Sequence, residues 1–164
     1  MISDEKFMEK ALKFALVKNT DGKYFTLDEY KEKVKDLQTN SGKKIVHIYS
    51  NNTDEQHAFI EAAKERAYDV LVMDTPIDAH YVNALERKFD DVYFVRVDGD
   101  TTDQLVKKDE EKISRLNEEE KNLIRPFVEK AIDKEKFMVM FEPLSEKDAP
   151  MVITKPEFMR RMKE

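Results

Sequence analysis

Between Lys44 and Val97 three short apolar runs alternate with two amphipathic helical patterns, and that alternation leaves few folds open. Ile45–Tyr49 is a β run, and Val70–Met73 is continuously apolar, as in a strand covered on both faces. Val92–Val97 is the third run. Between the first two, Thr53-Asp54-Glu55-Gln56 has capping-box spacing and is followed by Phe59, Ile60 and Ala63 at helical intervals. Between the last two, Thr75 is expected to cap a helix with Pro76 at its first position and Ile77, Tyr81, Ala84 and Leu85 as its apolar stripe. Strands joined through helices by short loops run parallel with right-handed crossovers. The predicted fold class is α/β, a small three-layer α/β/α domain with a parallel sheet over residues 43–106.

The flanks read differently. Residues 1–42 are expected to be a helical lead-in, with apolar residues from Phe7 to Ala15 at helical spacing and a turn at Asn19-Thr20-Asp21-Gly22. Thr26-Leu27-Asp28-Glu29 then has capping-box form, Phe25 is placed to staple onto Tyr30, and the following helix should bury Tyr30, Val34 and Leu37. Residues 107–116 read as a polar linker; from Lys107 to Lys136 nine basic residues balance nine acidic ones, so the run is not a polyacidic tail. Residues 117–164 read as the beginning of a further, truncated α+β unit. Asn117 and Glu120 start a helix that Pro126 should kink or restart, and Phe137–Phe141 and Met151–Ile153 are expected strands. Thr154-Lys155-Pro156-Glu157 opens a last helix with no stop signal before Glu164.

Composition narrows the function. The net charge is −6, which gives no electrostatic case for nucleic acid. Without cysteine, disulfides and thiolate metal sites are excluded, a pattern that fits a cytoplasmic protein. The opening Met1–Lys6 lacks a leader pattern, and no apolar run approaches the roughly 20 residues of a membrane helix. A phosphate cradle needs glycines where the backbone meets the anion, yet the chain has only Gly22, Gly42 and Gly99, none of them in the turn Ser50-Asn51-Asn52-Thr53 that follows the first strand. Asp74 ends the second strand as a phospho-acceptor would, but the first strand ends in Tyr49-Ser50-Asn51, without the acidic cluster that would hold a metal. His47, His57 and His80 include no pair at ligand spacing, and no glycine-flanked serine suggests a nucleophile. The residues by themselves lead to a cytoplasmic α/β domain plus a fragment, with no catalytic, cofactor or metal residues. A stand-alone regulatory or ligand-binding α/β domain is one reading of that pattern.

A second reading comes from an ordered set of segments. Lys18 to Tyr30, Glu55 to Lys64, Tyr68 to Asp74, Pro76-Ile77-Asp78 with Asn83 and Leu85, Phe94 to Asp98, Phe137 to Phe141, Met151 to Thr154, and Glu157 to Lys163 together resemble the ninety-kilodalton heat-shock chaperone family in its bacterial form. The resemblance implies the end of a middle domain followed by the start of a C-terminal domain. It further implies an ATP-driven homodimer whose ATP and Mg sites lie in an N-terminal domain outside this chain, so that this segment is not itself an enzyme. Its implied partners are non-native client proteins and the rest of its own chaperone chain, with no nucleic acid and no membrane. Client contact falls, by the resemblance, on His80 and Asn83, where the family more often has Trp or Tyr in place of His80, and Tyr81 stands beside them. The last helix matches a protruding amphipathic helix whose counterparts here are Phe158, Met159 and Met162. Methionine suits promiscuous binding because its side chain is flexible and polarizable.

Overall fold

A computed structural model describes residues 10–12, 14–106, 114–144 and 148–156. The chain divides into two compact units, Met1–Asp109 with Met151–Glu164, and Glu110–Pro150.

The first unit is built on a mixed five-stranded sheet. Its elements are β1 (Leu16–Asn19), β2 (Tyr24–Thr26), α1 (Leu27–Val34), β3 (Ile45–Ser50), α2 (His57–Glu65), β4 (Val70–Val72), α3 (Asp78–Lys88), β5 (Val92–Arg96) and the short α4 (Thr102–Leu105). Strand order is β2-β1-β4-β3-β5. β3 pairs in parallel with β4 and β5, as the alternating pattern predicts. The expectation of an all-parallel sheet preceded only by helices is corrected: residues 16–26 form a hairpin that pairs antiparallel with β4, Lys18 opposite Val72. Gly22, at φ 77°, supplies the left-handed turn residue between the hairpin strands.

Side-chain alternation along the strands sorts the core. Tyr49 of β3, Leu71 of β4 and Phe94 of β5 join Tyr30 and Val34 of α1 and Val82 and Leu85 of α3 in one cluster. Val46, Ile48, Val70 and Val95 join Ile60 and Ala63 of α2 and Leu105 of α4 in another. Successive strand residues point to opposite faces, so each cluster lies on its own side of the sheet. Full burial of each Val, Leu, Ile or Phe among them stabilises the fold by about 1.5–3 kcal/mol.

Local signals differ in how they are realised. Thr26 caps α1 with a reciprocal box: its hydroxyl accepts from the Glu29 N–H (3.3 Å), and the Glu29 carboxylate accepts from the Thr26 N–H (2.8 Å). The Phe25 and Tyr30 rings lie 6.0 Å apart. Leu37, expected in the core, is 46% exposed because α1 ends at Val34; Gln38 is buried instead. Its amide donates to the Val46 carbonyl (2.8 Å) and accepts from the Asp69 N–H (2.6 Å), tying the starts of β3 and β4 together. The box expected at Thr53–Gln56 does not form. The Asn52 side chain accepts from the Glu55 N–H (3.2 Å), and Gln56 turns back toward β3. α3 starts at Asp78, two residues after the expected Pro76.

In the second unit α5 (Glu118–Ala131) begins with the predicted Asn117–Glu120 box, both bonds at 2.9 Å. It continues through Pro126 rather than restarting there. Arg125 donates to the Val139 carbonyl (3.0 Å), and its guanidinium lies 5.1 Å from the Phe141 ring centre. The run 137–141 and, in the first unit, 151–153 form no strand. A β run becomes a strand only when a neighbour takes its backbone hydrogen bonds, and no strand pairing is formed by these runs among the described residues.

Candidate functional site

The loop from β4 into α3 carries the candidate surface. The Asp78 carboxylate accepts from the Thr75 N–H (2.9 Å), and the Asp78 N–H donates to the Thr75 carbonyl (3.0 Å). This closed turn places Asp74, Thr75, Pro76 and Ile77 in solvent ahead of the helix. Val82 and Leu85 face the sheet and are each 1% exposed. Helical spacing therefore turns Ile77, His80 and Ala84 away from the sheet. Ile77, expected in the buried stripe, is 55% exposed.

The candidate residues divide into three groups. His80 is exposed, and Asn83, one turn on, is partly buried. Tyr81 is half-buried, with its ring packed against the cluster of Val82, Leu85 and Phe94. Its hydroxyl oxygen is enclosed without a hydrogen-bond partner, and burial, helped by Asp78, pushes its pKa up. Phe158, Met159 and Met162 lie outside the described residues.

Two features were missed in the sequence. One is the exposure of Ile77, which depends on where α3 begins, and helix boundaries are read from sequence only to within a few residues. The other is α5, which buries none of its residues: Leu123 is 69% and Phe127 79% exposed, with Ile124 beside them. The i, i+1, i+4 spacing of these three residues was the available signal.

A polar groove of about 350 Å³ lies at the carboxyl ends of β3 and β5, lined in part by Asn51, Asn52, Gln56, Arg96 and Asp98. The buried Gln56 carbonyl oxygen accepts from the Ser50 hydroxyl (2.8 Å) and from the N–H groups of Asn51 (3.2 Å) and Asn52 (3.4 Å). The amides that a phosphate would use after β3 are thus already engaged. Arg96 and Asp98 form an ion pair. No cluster of three or more His, Asp or Glu capable of holding a metal is present among the described residues. No helix among them is long and apolar enough to cross a membrane.

Comparison with known proteins gives this geometry a context. Residues 2–162 match the family model described as Hsp90 protein. The chain is 42% identical to the chaperone protein htpG of Bacteroides fragilis and 42% to HtpG of Bacteroides thetaiotaomicron, and 35% to HtpG of Porphyromonas gingivalis. Each match takes in 100% of this chain and 24% of the relative, so the chain spans about a quarter of the length of these proteins. A solved structure, the middle domain of a Plasmodium falciparum heat shock protein, is 26% identical with a TM-score of 0.44, covering 58% of this chain and 40% of that one. Matched across nearly its whole length, the chain belongs to the Hsp90 protein family.

Proposed function

We propose that this chain is a non-catalytic segment of an ATP-dependent molecular chaperone, presenting surface to non-native client proteins and carrying the hinge between the middle and C-terminal domains. In this reading ATP and Mg are bound by an N-terminal domain beyond this chain, and the longer protein works in the cytoplasm as a homodimer. Client contact is made at the start of α3, by His80 and Asn83 with Tyr81 and Ile77, and by Phe158, Met159 and Met162.

The reading as a chaperone segment rests on the family match over residues 2–162, and the choice of α3 as client surface rests on Ile77. A bulky aliphatic side chain, 55% exposed beside the exposed His80, adds little to a core already closed by Val82 and Leu85. Exposed apolar area held on a rigid helix start suits weak binding of unfolded chain, which offers apolar side chains in no fixed order. Tyr81 contributes what little of its ring is exposed, while the ring anchors the helix on the core.

The test is a double substitution, Ile77→Ser with His80→Ala, in the full chain, titrated against a permanently unfolded, reduced and carboxymethylated client. Affinity should fall severalfold, while stability in denaturant melts changes by less than about 1 kcal/mol, as for exposed positions. Unchanged affinity would remove α3 from the client surface.

A further inference from the structure

His47 sits in the core of the first unit, on the inner strand β3 between β4 and β5, and is 2% exposed. Neither ring nitrogen has a hydrogen-bond partner. The imidazole is instead held edge-on between two rings: Tyr30 of α1 at 5.0 Å and 82°, and Phe94 of β5 at 5.0 Å and 84°. The Tyr30 hydroxyl is directed to the Asp69 carbonyl instead, donating to it at 3.2 Å. A buried polar group left unsatisfied in this way is destabilising, and a charge in the same place far more so.

The charged groups around it are few. Lys31, next to Tyr30 on α1, forms an ion pair with Asp91 at the entry to β5. From α3, the Glu86 carboxylate accepts from the Phe94 N–H (2.9 Å). Paired β4 is wholly apolar, Val70-Leu71-Val72. Lys31 repels an imidazolium and Asp91 attracts one, so the two oppose each other and desolvation decides.

We propose that His47 is an acid-sensitive latch: neutral, it seats α1 on the sheet, and protonated it releases that helix and uncovers the apolar face of Tyr30 and Val34. Burial lowers the His47 pKa from 6.5 to about 4, with Lys31 adding to the effect and Asp91 opposing it. Because the folded-state pKa is depressed, the latch is fully closed above pH 6.5 and loses its hold progressively as pH falls toward 4. In the released state the ring titrates near its ordinary value, so between pH 7 and pH 5 the opening equilibrium should rise by roughly twenty-fold.

Hydrogen exchange on the full chain at the two pH values, corrected for intrinsic exchange rates, reads this directly. Protection across Leu27–Val34 should fall by about twenty-fold on acidification. Protection of His57–Glu65, on the opposite face of the sheet, should hold, and His47→Phe should abolish the acid response of α1. An equal loss in His47→Phe, or an equal loss in both helices, would overturn the latch. Should His47→Phe fail to fold, the imidazole proton resonances of the unsubstituted chain decide. A His47 signal that titrates between pH 6 and 7 with α1 still protected rules the proposal out.

Discussion

Ala67 shows how one side chain can work against a local structure that is otherwise well specified. It follows α2 at φ 59°, the left-handed region where a Cβ crowds the neighbouring carbonyl. The surrounding hydrogen bonds complete a Schellman motif: the Tyr68 N–H donates to the Ala63 carbonyl (3.0 Å) and the Ala67 N–H to the Lys64 carbonyl (2.8 Å). Tyr68 and Ala63 also share the same apolar cluster, the contact that usually accompanies this motif. Glycine at this position would keep every bond and remove the strain. Ala67→Gly should therefore stabilise the chain by about 1 kcal/mol, read as an upward shift of the denaturant midpoint with an unchanged slope. Asp69 illustrates the opposite case, a residue whose contacts agree. Its carboxylate accepts from the Asn19 amide (3.0 Å) and pairs with Lys33, its N–H meets Gln38, and its carbonyl accepts from Tyr30. One residue thereby fastens the hairpin and α1 to the start of β4.

Helices α1 and α5 show what an element needs beyond its own signals. Both begin with a complete capping box, and both carry acidic residues in the first turn, where the helix dipole favours them. α1 buries Leu27, Tyr30 and Val34, whereas α5 buries no residue at all. Capping and propensity set where a helix starts, but burial supplies most of its stability in a folded chain. Replacing Leu123 and Phe127 of α5 together by serine should accordingly change the unfolding free energy by less than about 1 kcal/mol. The comparable change at a packed aliphatic position costs about 2–5 kcal/mol, so a large loss in denaturant melts would show that α5 does bury its apolar stripe.

For the whole molecule, the decisive fact is that the α/β unit uses the carboxyl ends of its strands for itself. Open α/β sheets commonly bind ligands there. Here Gln56 occupies the Asn51 and Asn52 amides, and Arg96 is turned onto Asp98. Isothermal titration of this chain with ATP and Mg should accordingly show no stoichiometric binding at micromolar concentration. A measurable heat of saturation would place a nucleotide site in the segment and overturn its reading as non-catalytic.

The parallel core strands, the capping boxes of α1 and α5 and the family could be read from residues in order, because apolar runs, cap spacing and segment order are local in sequence, whereas the same spacing at Thr53–Gln56 forms no box because Gln56 is drawn back onto β3. The hairpin was not legible in the same way. β1 and β2 have four and three residues, too few for a period to show, and they become strands only because β4 offers an edge to pair with. The same logic, reversed, keeps 137–141 and 151–153 from becoming strands despite their composition. At the candidate site, His80 and Asn83 were named from sequence, but the exposure of Ile77 and the anchoring of Tyr81 depend on α3 starting at Asp78. Likewise, nothing local to Val46-His47-Ile48 marks the histidine as the core's unpartnered polar group. Its environment is made by Tyr30 and Phe94, 17 residues before it and 47 after it. Sequence carries what neighbours along the chain decide, while burial, partnering and the charge a buried group can bear are set by residues that only folding brings together.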